Sequence, residues 1–284
     1  MSNPQKAGYG GPVTALDDLR PPRLIATDLD GTLVRSDGTI SARTRSAVLA
    51  AQHAGSVFVM VTARPPRWLH DLADLVGEHG VAIVANGAIL YDVVRRQAIR
   101  TRLIDPAVAL EVAQAIRAEI PEVEFAIERS DRYGQEPHYV NRWPKPDDTL
   151  VAGIEVLLSE PAAKLLVRHP SWHSDDLLAR INPVVADRVT ASHSGGTSLV
   201  EISASGVSKA AMLADFAATQ GIPAAEAIAF GDSINDLPML AWAGTSYGVA
   251  NAHAEVLAMV DTVCPSNDED GVAAVLEELF QPLN

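Results

Sequence analysis

Asp28 and Asp30 stand two residues apart and are followed at once by Gly31 and Thr32. If the backbone is still extended there, period-2 alternation points both carboxylates to one side. Two such groups can divide a phosphoryl transfer between them. One, ionised and metal-bound, attacks phosphorus, while the other gives a proton to the leaving oxygen and later takes one from water. Gly31 lets the chain turn sharply just beyond them. Alone, the segment also fits a capped turn, a calcium loop or the metal-bound nucleotide-sugar site of some glycosyltransferases.

Three further segments supply what such a site lacks. In Gly231-Asp232-Ser233-Ile234-Asn235-Asp236, Asp232 is a hard oxygen ligand of the kind magnesium prefers, although plain helix capping is the competing use. Asp236, one helical turn on, can ligate directly or orient Asp232, and the Asn235 amide suits a phosphate or a substrate hydroxyl. Thr62 can donate a hydroxyl to a phosphoryl oxygen. Lys209 can hold the same oxygen and offset the crowded carboxylates.

These residues follow short apolar runs. Leu24 to Thr27, Val57 to Val61 and Val81 to Val84 read as buried strands, alternating with helices over Ser41 to His53 and Arg67 to Val76. Strand, helix, strand, helix, strand implies an α/β, doubly wound parallel-sheet, Rossmann-like core. The pattern resumes with a helix from Lys209 to Gln220, a strand from Ala227 to Phe230, a helix from Asp236 to Ala243, strands at Tyr247 to Ala250 and Thr262 to Cys264, and a closing helix from Gly271 to Phe280. Ligands of such sheets bind at the carboxyl ends of the strands, where all four segments fall.

Between these halves the chain is richer in aromatic and polar residues. Strands are expected over Glu124 to Ile127, Lys164 to Arg168, Arg188 to Ser192 and Ser198 to Ile202, with helices near Ala107 to Glu119 and Asp175 to Val185. The expected organisation is a mobile tail at 1–20, a core from 21–86 and 204–284, and an inserted α+β module at 87–203.

Composition narrows the partners. A net charge of −14 argues against a nucleic-acid surface, and a protein this acidic that handles phosphate needs a cation and a few placed Lys and Arg. No apolar run approaches the ~20 residues of a membrane span. Cys264 is the only cysteine, which excludes an internal disulfide and favours a reducing, cytoplasmic setting.

With Thr27-Asp28-Leu29-Asp30-Gly31-Thr32-Leu33, Val61-Thr62-Ala63-Arg64-Pro65, Asn86-Gly87-Ala88, Gly206-Val207-Ser208-Lys209 and Gly231 to Asp236 with Met239-Leu240, the chain resembles a haloacid dehalogenase (HAD) superfamily phosphatase. Within that group it is similar to the Cof-type subfamily, with a C2B-like α/β cap. The resemblance implies Asp28 as nucleophile and Asp30 as general acid/base. It implies Thr62 and Lys209 as phosphate binders and Asn235 as a contact to phosphate or substrate. Asp28, Asp232 and the main-chain carbonyl of Asp30 would be ligands of Mg2+, with Asp236 in support. Two departures stand out: Thr-Gly-Arg is Thr62-Ala63-Arg64 here, and the loop Gly248-Val249-Ala250-Asn251-Ala252 is two residues shorter than in related sequences.

The expected activity is magnesium-dependent hydrolysis of a small phosphorylated metabolite, a sugar phosphate or similar, through an aspartyl phosphate under a mobile cap. The alternatives are a phosphomutase acting on hexose phosphates and a catalytically silent binding protein of the same fold. Arg129, His138, Tyr139, Arg142, Trp143 and His173 are candidates for the substrate pocket of the insert. Monomer and homodimer are equally compatible with the sequence.

Overall fold

The computed structural model describes residues 21–75, 80–130, 132–193 and 197–280. The expected tail at 1–20 and Val76, the expected helix end, lie outside the described residues.

The first strands coincide with the apolar runs: Leu24–Thr27 (β1), Val57–Val61 (β2) and Val81–Val84 (β3), with helix Ala42–His53 (α1) after β1. Ser41 caps α1 by accepting from the Thr44 N–H. No α-helix forms over the described part of 67–76. After Pro65 at φ −72° and Pro66, which donates no backbone hydrogen bond, the chain winds as 3-10 turns at Pro66–Trp68 and His70–Leu75.

Two unexpected strands follow, Ile89–Asp92 (β4), antiparallel to β3, and Gln97–Thr101 (β5), antiparallel to β4. Asn86-Gly87, expected to mark a change of unit, is the turn between β3 and β4. The change of sheet falls later, between Thr101 and Glu124.

The inserted stretch carries helix Pro106–Glu119 (α2), strands Glu124–Glu128 (β6), Tyr133–Gln135 (β7) and Leu150–Val151 (β8), the short helix Ile154–Leu157 (α3), strand Lys164–His173 (β9), helix Ser174–Val185 (α4), and strands Val189–Ser192 (β10) and Thr197–Ala204 (β11). Its strands order as β10-β11-β9-β6-β7-β8. Phe125, Ile127, Leu165, Val167, Val200 and Ile202 pack on α2 and α4. Alternate positions face the other way, among them Ala126 and Leu166, which meet Tyr133 and Tyr139.

The chain then returns through Lys209–Thr219 (α5), Ala227–Gly231 (β12), Leu237–Trp242 (α6), Thr245–Val249 (β13), Ala254–Met259 (α7), Thr262–Cys264 (β14) and Gly271–Leu279 (α8). The eight-stranded sheet orders as β14-β13-β12-β1-β2-β3-β4-β5, parallel from β14 to β3. Ile25, Phe58, Met60 and Phe230 meet Val48 of α1 and Leu276 of α8 on one face; Leu24, Ala26, Val59 and Ala229 meet Met212, Leu213 and Leu240 on the other. Burial on both faces explains why these strands read as continuous apolar runs.

Candidate active site

Asp28 leaves the end of β1 with its N–H on the Phe230 carbonyl, 3.0 Å away, and its side chain buried. Its Oδ1 accepts from Lys209 Nζ at 2.6 Å, and Asp236 Oδ1 accepts from the same ammonium at 2.6 Å. Lys209 is the first residue of α5, whose N-cap is Ser208. A cation at a helix N-terminus opposes the helix dipole, and here two carboxylates compensate. Burial acts to discharge Lys209, yet Asp236 and Asp28 hold its affinity for protons above the ordinary lysine value.

The acids are less comfortable. Burial pushes Asp28 well above the usual carboxylate range despite Lys209, and Asp236 and Asp232 add to the rise. Burial, then Asp236, pushes Asp232 up to about 6. Oxygens of Asp28, Asp232 and Asp236 lie within 4.8 Å of one another. One ammonium does not neutralise three carboxylates, so the cluster is built for further positive charge.

Its members differ in what they can offer a cation. Asp236 is fully buried; Oδ1 holds Lys209, while Oδ2 accepts from the N–H groups of Asp232 (3.1 Å) and Ser233 (3.0 Å). It therefore fixes the loop that presents Asp232. Asp232 Oδ1 accepts from Thr32 Oγ1 at 2.9 Å. Gly31 has φ +83°, and a Cβ there would lie 2.6 Å from Asp232 Oδ2. The missing side chain lets the Asp30-Gly31 backbone approach that carboxylate. Two acidic side chains beside a main-chain segment, all hard oxygen donors, fit a small divalent cation such as magnesium.

Asp30 points elsewhere. Its side chain is 61% exposed, with both oxygens on Arg64 (Nε to Oδ2 2.8 Å, Nη2 to Oδ1 2.6 Å). The extended backbone that would align Asp28 with Asp30 ends at Leu29, whose carbonyl accepts from the N–H groups of Thr32 and Val34. The two acids thus diverge across a turn.

Thr62 is buried at the end of β2, and its Oγ1 accepts from the Arg64 N–H at 3.1 Å, leaving the hydroxyl proton to be donated. Asn235 reaches Asn86, Nδ2 to Oδ1, at 3.1 Å. Asn86, which the sequence offers only as part of a motif, is the hub of this rim. Its N–H donates to the Thr62 carbonyl at 3.1 Å, and its Nδ2 donates to Glu201 Oε2 of β11 at 2.9 Å. The Asn-Gly step is the signal that could have marked it, because such steps adopt positive φ, and Asn86 has φ 56°.

The loop after β13 also has a part. Asn251 Nδ2 donates to the Gly31 carbonyl at 2.8 Å, and the His253 N–H donates to the Asp232 carbonyl at 2.7 Å, so the loop braces both acidic segments.

Of the candidates in the insert, Arg129 is buried against the carbonyls of Leu157 and Pro161, Tyr139 packs on Tyr133, His173 pairs with Asp175, and His138 is exposed. Trp143, with Arg142 stacked on it, meets Trp68 edge-on at 5.5 Å. Trp143 thereby joins the inserted stretch to the segment following Arg64.

The family model for haloacid dehalogenase-like hydrolases matches residues 25–276. A 5-amino-6-(5-phospho-D-ribitylamino)uracil phosphatase of Bacillus subtilis is 26% identical over 277 residues, covering 91% of this chain and 98% of that protein. A second phosphatase of the same organism is 27% identical, covering 91% of this chain and 100% of the other. Among solved structures, SMU.1108c of Streptococcus mutans superposes with a TM-score of 0.80 at 22% identity over 92% of this chain and all of that one. The HAD phosphatase BT1666 of Bacteroides thetaiotaomicron gives 0.77 at 21% identity over 91% and 95%.

Proposed function

Because the chain belongs to the haloacid dehalogenase-like hydrolase family, we propose that it is a magnesium-dependent phosphatase of a small phosphorylated metabolite, with Asp28 as the nucleophile. One observation carries the reading. Lys209 bridges Asp28 and Asp236 at 2.6 Å each, inside a cluster that also holds Asp232 and sits at the carboxyl ends of β1 and β12.

A carboxylate oxygen of Asp28 attacks phosphorus, and the bond to the leaving oxygen breaks. Asp30, turned away from Arg64, gives that oxygen its proton. Water then attacks the aspartyl phosphate as Asp30 takes its proton, and the bond from Asp28 to phosphorus breaks, releasing inorganic phosphate. Thr62 and Lys209 donate to the phosphoryl oxygens, and Asn235 contacts phosphate or substrate. Asp28, Asp232 and the Asp30 carbonyl would hold magnesium, which supplies the positive charge the transferring group requires, with Asp236 in support.

We assign residues 102–204 to a cap that excludes bulk water and the rest of the described chain to the catalytic core. The named relatives, among them the ribitylamino-uracil phosphatases and a sugar phosphatase, support a sugar or polyol phosphate as substrate, and the single cysteine, Cys264, supports a reducing, cytoplasmic setting. Purified protein with magnesium should release inorganic phosphate from p-nitrophenyl phosphate and from hexose phosphates, and Asp28→Asn should abolish it. Wild-type turnover by that variant refutes the assignment; an isomeric sugar phosphate in place of inorganic phosphate indicates a mutase.

A further inference from the structure

Three charged residues meet on neighbouring strands of the inserted sheet: Glu128 on β6 lies opposite Lys164 on β9, and Glu201 on β11, opposite Leu166, lies diagonal to Lys164. All three are buried, on strands whose other buried residues are mostly apolar. Glu128 accepts from Arg67 through both oxygens, 2.5 and 2.8 Å. Lys164 and Glu201 pair with each other, and each also bonds outside the inserted sheet. Lys164 Nζ donates to the Ala63 carbonyl at 2.8 Å, and Glu201 Oε2 accepts from Asn86 Nδ2 at 2.9 Å.

Those targets bracket the phosphoryl site. All three carbonyls of Thr62-Ala63-Arg64 are engaged: Thr62 by the Asn86 N–H, Arg64 by the Ala85 N–H at 3.0 Å, and Ala63 by Lys164. Asn86 in turn holds Asn235. Ala85 (φ 52°) and Asn86 (φ 56°) are non-glycine residues in the left-handed region, a conformation that persists only where its surroundings impose it. A buried ion pair is a poor adhesive, because well-packed apolar residues of similar volume often serve stability as well or better. What an apolar pair cannot do is donate to Ala63 and accept from Asn86.

We propose that Lys164 and Glu201 are positioning residues of the reaction: with the inserted unit seated, they fix Thr62-Ala63-Arg64 and the Asn86–Asn235 pair in the arrangement that receives the phosphoryl group. The proposal rests on the phosphatase reading of the same site. It makes the seating of the cap a condition of catalysis even for a substrate too small to touch the cap.

The test uses donor and acceptor polarity. Exchanging the pair (Lys164→Glu with Glu201→Lys) keeps the attraction within it, sets a second carboxylate opposite Glu128, and leaves an acceptor facing the Ala63 carbonyl and a donor facing Asn86 Nδ2. With p-nitrophenyl phosphate and magnesium, kcat should fall by about tenfold or more with KM changed less than about threefold, as misplacement of catalytic groups costs rate. Hydrogen exchange at the Ala85 and Asn86 amides should quicken by more than any fall in the thermal midpoint accounts for. An unchanged midpoint with wild-type kcat and exchange overturns the proposal.

If the exchanged protein does not fold, Asn86→Asp, which sets a carboxylate against Glu201, should lower kcat. Adding Glu201→Gln, whose amide donates where Asn86 donated, should restore it; no restoration overturns the proposal. The exchange measurement needs no turnover, so a wild-type protein inactive on every phosphate ester refutes the phosphatase reading without deciding the coupling.

Discussion

Arg64 grips Asp30 through both carboxylate oxygens, at 2.6 and 2.8 Å, and so holds it outside the buried cluster that contains Asp28. A group that protonates a leaving oxygen and later deprotonates water has to turn from this pair into the site, and its 61% exposure leaves room for that turn.

The two duties proposed for Asp30 are separable by leaving group. In Asp30→Asn, p-nitrophenyl phosphate, whose phenolate departs without a proton, should give a burst of nitrophenolate and then stall as the aspartyl phosphate accumulates. An alkyl phosphate should give no burst, and turnover of both should drop by about a hundredfold or more. Rapid-quench kinetics with acid trapping of the phosphoenzyme distinguishes these results; equal steady turnover of both esters would remove Asp30 from the mechanism.

Much of this site is legible in the sequence because its parts follow buried parallel strands, whose apolar runs end where the chemistry begins. Leu24 to Thr27 and Val57 to Val61 can be read to the residue. Asn86-Gly87 is harder: a hairpin turn and a unit boundary look alike in sequence, so β4 and β5 fall inside the expected insert. Lys164 and Glu201 carry no signal, since a charge at a strand position ordinarily reads as solvated. Their burial is decided by a partner strand and by segments about a hundred residues away. The divergence of Asp28 from Asp30 depends likewise on hydrogen bonds to the Leu29 carbonyl that spacing does not reveal.

Crowding of Asp28, Asp232 and Asp236 should make magnesium a stabilising ligand. At a concentration about a hundred times its dissociation constant it should add about 2.7 kcal/mol. Asp232→Asn removes one of the repelling charges, so this variant should be at least as stable as the wild type in EDTA and should lose the magnesium-dependent rise. Scanning calorimetry with and without the metal checks both. A full magnesium response in Asp232→Asn would place the cation elsewhere.

Acid stability should depend on a pair remote from the cluster. Arg35 binds Asp270 at 3.0 and 2.6 Å, and this hydrogen bonding, more than any other cause, holds the Asp270 carboxyl below its ordinary value. A folded-state value below the unfolded one contributes stability above the unfolded value of about 3.9 and loses it as pH falls through the lower one. Asp270→Asn keeps a residue that tolerates φ 58° and removes the charge. It should cost about 1–2 kcal/mol at pH 7. Urea titrations should show the difference from wild type closing below about pH 4, near the unfolded carboxylate value. A difference that stays constant as pH falls well below the unfolded value would mean that the charge is irrelevant.

Gly87 and Gly38 separate backbone strain from close approach. Both have positive φ, +97° and +83°. At Gly38 a Cβ would meet nothing within 4 Å, whereas at Gly87 it would collide with the Ser208 carbonyl oxygen, beside the residue that begins α5. Gly38→Ala should therefore cost only the backbone term, about 1 kcal/mol, with activity intact. Gly87→Ala carries the same term and must also push Ser208 and Lys209 from the Asn86 turn. It should cost about 2 kcal/mol more, and because Lys209 is tied to Asp28, kcat should fall with it. Matched denaturation curves and kinetics for the two variants decide the point. Equal losses would show that the packing of this turn against α5 does not set the position of the lysine.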